Sequence, residues 1–242
     1  MISSGNNMIS KAVTIPIDDI NYIEGDLSIQ YDSNNDISNG IVIFAHGSGS
    51  SRHSLRNKFV ANRINLEGIS TLLVDLLTRE EESVDEYTRE HRFNISLLAD
   101  RLSIVTEYVL NISNQITTKE GFSSDSLKRI GFFGASTGAA AALIVADGPL
   151  SDKIFAIVSR GGRVDLATKH TSLKKIKCPC LFMVGEHDYP VIEWNKQILD
   201  TDLPNVKEKQ LIIIPGATHL FEEEGKLEEV AKYSASWFKK YF

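Results

Sequence analysis

The chain has 242 residues, 42% of them hydrophobic, with a formal charge of -6 and a pI near 5.6. That length can bury one sizeable core, and the acidic balance offers no basic face to nucleic acid or to an anionic membrane. No run approaches the roughly 18 consecutive apolar residues of a membrane span. The polar start, Met1 to Asn7, lacks the basic and apolar regions of a signal peptide, so a cytoplasmic protein is expected.

In chain order, residues 1–10 read as a flexible tail ahead of one domain over 11–242. Alternating apolar residues over roughly 12 to 17 and 22 to 31 predict an antiparallel pair of strands. Strands follow near 40 to 46, 70 to 76, 129 to 134, 154 to 159, 180 to 185 and 210 to 214. These are short, continuous, β-branched apolar runs, as in a sheet covered on both faces. Helices lie between them, clearest where Ile95, Leu98, Leu102, Val105 and Val109 recur at helical spacing, after Ser136, and from about Leu227 to Tyr241. The stretch from Leu77 to Arg92, rich in glutamate and aspartate, reads as the longest irregular segment, a solvated loop or helix start at the rim of a crevice. Cys178 and Cys180 flank Pro179, too close for an ordinary disulfide and without a second pair for zinc. They are expected to be buried thiols, and no metal or other cofactor is expected.

Chemistry enters at Gly134-Ala135-Ser136-Thr137-Gly138, a G-x-S-x-G pentapeptide between a predicted strand and a predicted helix. Glycines there leave room for a strained turn that lifts the Ser136 hydroxyl off the sheet. Two further residues stand just past later strands: Asp188 in Gly185-Glu186-His187-Asp188, with Glu186 as the alternative acid, and His219 in Pro215-Gly216-Ala217-Thr218-His219. In a parallel sheet these loops leave the same edge and can meet. His219 would take the serine proton and return it to the leaving group, with Asp188 orienting the imidazole. Backbone N–H groups of Thr137 and of Ser48, with Gly47 or Gly49 as alternatives to Ser48, would hold the oxyanion. Arg160, just past another strand, and Arg52 or Arg56, near the oxyanion loop, could grip a substrate carboxylate. Their alternative is internal pairing with Asp165, Asp75 or the acids of 77–92.

The segments His46-Gly47-Ser48-Gly49-Ser50-Ser51-Arg52-His53, Leu76-Leu77-Thr78, Ser159-Arg160-Gly161-Gly162-Arg163, Gly185 to Asp188 and Thr218-His219, with the Ser136 pentapeptide, make the chain resemble an α/β-hydrolase of the dienelactone-hydrolase-like group from about residue 20 to the end. The resemblance implies an α/β-hydrolase fold, a mostly parallel twisted sheet of about eight strands with helices on both faces. It also implies a triad of Ser136, Asp188 and His219. Dienelactone hydrolase proper has a cysteine where this chain has Ser136. About twenty residues separate the strands ending near Ser159 and starting near Cys180, room for a short helix and no large cap domain. A small-molecule ester is the expected partner, with thioesterase, lactonase or acyltransferase chemistry on the same site as alternatives. From another class stands a ligand-binding protein on a hydrolase fold. Neither nucleic acid nor membrane is an expected partner, and oligomeric state is not legible in the sequence.

Overall fold

Strands and helices alternate in the expected order in the computed structural model, which describes residues 8–31, 36–38, 40–119 and 127–242. The strands are β1 (Met8–Pro16), β2 (Tyr22–Gln30), β3 (Gly40–Ala45), β4 (Ser70–Val74), β5 (Arg129–Ala135), β6 (Ile154–Arg160), β7 (Cys180–Gly185) and β8 (Lys209–Ile214). The helices are α1 (Leu55–Asn65), α2 (Arg79–Thr88), α3 (Ile95–Lys119), α4 (Thr137–Ala146), α5 (Val164–Ala167), α6 (Tyr189–Gln197) and α7 (Lys226–Tyr241).

The eight strands form one sheet in the order β1-β2-β4-β3-β5-β6-β7-β8. β1 pairs antiparallel with β2, and β2 antiparallel with β4; from β4 to β8 every neighbouring pair is parallel. β1 begins at Met8, so residues 8–10 of the expected tail are paired strand opposite Ser28 to Gln30, while residues 1–7 lie outside the described ones.

Every residue of β3, β4 and β7 is buried, which explains their unbroken apolar sequences: both faces of a central parallel strand meet helices. On one face α1 and α7 pack together, placing Val60, Ile64, Val230 and Phe238 over Val42, Phe44, Phe133 and Val158. On the other face α3, α4 and α5 bury Leu98, Leu102, Val105, Ala140, Ala141, Ala142 and Val164 against Ile43, Phe132 and Ile157. Cys178 and Cys180 are free and buried.

Two local features bear on the site. Between β6 and β7 only the single turn of α5 intervenes, so no cap domain covers the sheet edge there. The stretch from Leu77 to Arg92, read from sequence as largely irregular, instead contains the helix α2. Thr78 caps it: the Thr78 hydroxyl accepts from Glu81 N–H at 3.1 Å, and Glu81 Oε2 accepts from Thr78 N–H at 2.8 Å. Among the described residues no helix is long and apolar enough to cross a membrane.

Candidate active site

The carboxyl ends of β3, β5, β6, β7 and β8 lie along one edge of the sheet, where ligands bind in open α/β folds. At the end of β5 the chain turns straight into α4 through Ser136, whose backbone stands at φ 50° and ψ -117°. A non-glycine residue there is strained, and such strain persists only where the surroundings over-determine it. Here Ser136 N–H donates to Arg160 O at 3.1 Å and Ser136 O accepts from Arg163 N–H at 3.0 Å. The flanking glycines allow the crossing: a Cβ on Gly134 would strike the backbone of Ala139, and one on Gly138 would strike the carbonyls of Ala45 and His46.

The loop after β3 packs under the elbow, where a Cβ on Gly47 would lie 3.1 Å from Ser136 Cβ. Ser48 and Thr137 line the same cleft, a cavity of about 140 Å³ also bordered by His46, Gly49, Glu82 and Arg92. Thr137 opens α4, so its N–H has no carbonyl one turn earlier within the helix to receive it. His46 braces this loop from below: its Nδ1–H donates to Gly47 O at 2.9 Å, and Leu76 N–H donates to its Nε2 at 3.1 Å. Both ring nitrogens are engaged in the neutral form, and burial pulls the His46 pKa down against the opposing pull of the Gly47 carbonyl and Asp75.

The loops after β7 and β8 are laced together. Glu186 N–H donates to Ile214 O and His187 N–H to Ala217 O, each at 3.0 Å, and Glu186 Oε2 accepts from Gly216 N–H at 2.7 Å. The alternative acid Glu186 is thus occupied in holding the loop, whereas Asp188 Oδ2 lies 2.5 Å from His219 Nδ1. With Nδ1–H donated to the carboxylate, His219 keeps Nε2 as its acceptor. Gly161, one residue past β6, sits against this ring: a Cβ there would be 3.3 Å from His219 Nδ1 and Cε1. The elbow, the loop after β3 and the loop carrying His219 therefore converge. No hydrogen bond joins Ser136 Oγ to His219 among the described residues.

The three arginines part company. Arg52 turns into an acidic groove, pairing with Asp75, with Glu24 at 3.2 Å and with Asp26 at 3.6 Å. Its geometry follows the internal-pairing alternative, with Asp75 among its partners. Arg56 reaches Glu222 at 2.7 Å. Arg160 is buried, and its guanidinium meets no acid among the described residues. The sequence reading missed Arg92, which borders the cleft beside Gly49 with its Nε 2.5 Å from Asp85 Oδ2. The Thr78-x-x-Glu81 capping signature, by announcing α2, was the available signal that this stretch is ordered. Among the described residues no group of three or more histidines, cysteines or acids could hold a metal ion.

Comparison with known proteins places this geometry. Residues 29–241 match the model of the dienelactone hydrolase family. A dienelactone hydrolase from Anabaena variabilis is 42% identical, with a TM-score of 0.82 over 97% of this chain and 99% of that one. Est1E from Butyrivibrio proteoclasticus, 17% identical with a TM-score of 0.66 over 95% of this chain and 98% of that one, shares the fold. A Mycobacterium tuberculosis H37Rv protein with a provisional phosphoribosyl transferase name is 46% identical over 199 residues, 82% of this chain and 40% of its own. The chain thus spans about two fifths of the length of the curated relatives it matches. By its family model and by a relative of the same fold at this level of identity, the chain belongs to the dienelactone hydrolase family.

Proposed function

We propose that the chain is a serine hydrolase that cleaves small carboxylic esters through an acyl-Ser136 intermediate. The observation that carries this reading is the 2.5 Å contact between Asp188 and His219 Nδ1, on loops laced to each other beside the strained Ser136 elbow. His219 Nε2 takes the hydroxyl proton as Ser136 Oγ attacks the carbonyl, and Asp188 stabilises the imidazolium that forms. The developing oxyanion is held by the N–H groups of Ser48 and Thr137. Collapse of the tetrahedral adduct breaks the bond to the leaving alkoxide, which receives the proton from His219; water then repeats the sequence to free the acid. Hydrogen bonds between nucleophile and base often tighten only when substrate is bound, so the serine is expected to close on His219 at that stage. The short turn of α5 in place of a cap favours small, soluble substrates.

The test is labelling by a fluorophosphonate probe beside turnover of p-nitrophenyl esters of rising chain length. Wild type is expected to be labelled and to favour short chains, while Ser136→Ala loses labelling and at least about 10³-fold in kcat with an unchanged fold. Turnover that survives Ser136→Ala would sink the reading. Diversion of product to an added alcohol would instead mark an acyltransferase.

A further inference from the structure

Arg160 ends β6 and is only 8% exposed. Side chains alternate along a strand, so Arg160 extends the row of Ala156 and Val158, which belong to the core under α1 and α7. Its Nη1 is buried without a partner, and its guanidinium makes no hydrogen bond, ion pair or ring contact with any described residue. Burial, and after it the nearby positive charge of Arg56, pushes its pKa down to about 10. A buried cation without a partner is strongly unfavourable, and an apolar side chain of similar volume would cost the fold nothing. Folding alone gives no reason for it.

Arg56 is less buried, with a side chain that is 32% exposed. Its Nε is buried without a partner, and its one acid, Glu222, has a side chain that is 62% exposed. An exposed pair of this kind is weak and readily exchanged. Arg56 also lies in the first turn of α1, where no acidic side chain offsets the helix's partial positive charge. Two guanidiniums that repel each other, each with a buried N–H unspent, match a doubly charged oxyanion better than a single carboxylate. The backbone that carries Arg160 is beside the candidate reacting centre: Arg160 O accepts from Ser136 N–H at 3.1 Å, and the next residue, Gly161, abuts His219.

We propose that Arg160 and Arg56 seat a phosphate group carried by the substrate. The ester cleaved at Ser136 is then a phosphorylated small molecule, a conclusion that rests on the reading of Ser136 as nucleophile. The anion seat itself does not.

Inorganic phosphate serves as the probe, titrated at constant ionic strength while the melting midpoint is followed, with succinate as the carboxylate arm. Phosphate is expected to raise the wild-type midpoint and to slow both fluorophosphonate labelling of Ser136 and hydrolysis of a neutral p-nitrophenyl ester. Arg160→Met should weaken phosphate binding at least about tenfold, and Arg56→Gln severalfold. Without phosphate, Arg160→Met should melt at or above wild type, whereas an arginine kept for structure would make the variant melt lower. An equal phosphate response in wild type and both variants overturns the proposal, as does succinate acting as strongly as phosphate. So does phosphate binding that leaves labelling and hydrolysis untouched. Should wild type resist labelling and hydrolyse no ester while phosphate binding still depends on Arg160, the esterase reading falls and the anion seat stands.

Discussion

The positions of Ser136, Asp188 and His219 were legible one residue at a time because each follows a strand whose apolar run is unmistakable, and the fold ends those strands on one edge. Partners formed across space were not legible. Arg52 and Arg160 each stand beside glycine- or serine-rich loops in sequence, yet one meets Asp75, Glu24 and Asp26 while the other meets no acid among the described residues. His46 yields a prediction at this scale. Its folded pKa is depressed below the ordinary 6.5 chiefly by burial, so the unfolded chain binds a proton there before the native one does. The neutral ring's contribution is present above pH 6.5 and is lost as pH falls through that value toward the lower folded pKa. Denaturant midpoints measured from pH 7.5 down to about 5 should fall more steeply for wild type than for His46→Gln; equal slopes would remove His46 as the cause.

At the scale of elements, α2 shows why an acidic stretch misleads. Glu80, Glu81 and Glu82 look like a solvated run, but in the first turn of a helix they oppose its positive end. Asp85, further along, is held by Arg92. Burial disfavours its charge, yet the backbone N–H groups of Arg92 and His91 and the Arg92 side chain outweigh that and lower its pKa. The stability this linkage supplies is present above the ordinary carboxylate range and is lost as pH falls below it. Thr78→Ala removes the cap that starts the helix and should cost about 1 kcal/mol in equilibrium unfolding. Because α2 borders the Ser48 and Thr137 cleft through Glu82, the same variant should also raise KM for small esters. An unchanged KM would separate α2 from substrate binding.

Across the whole molecule, the two helical layers have unequal tasks. The α1 and α7 layer buries Phe238 fully beneath the sheet, its ring 5.7 Å from that of Phe242 and so close to Gly131 that a Cβ there would clash. Phe238→Ala should cost about 3–5 kcal/mol, read from urea unfolding, with the loss falling on stability before catalysis. The opposite layer carries α4, whose first N–H belongs to the proposed oxyanion site, so disturbance there should reach kcat directly. The succession of strands along the chain was legible because buried parallel strands write continuous apolar sequences, whereas their order in the sheet was not read. β8 was bounded to within one residue, whereas the first residues of β1 were missed, since an exposed strand end lacks that signature.

The central claim is that Ser136 becomes acylated. The most direct measurement is mass spectrometry of the protein quenched during turnover of p-nitrophenyl butyrate, with peptide mapping of the adduct. A butyryl group on the peptide containing Gly134 to Gly138, absent in Ser136→Ala and accumulating in His219→Ala only far more slowly, is the predicted result. Turnover with no adduct on that peptide, or with an adduct at another residue, would contradict it.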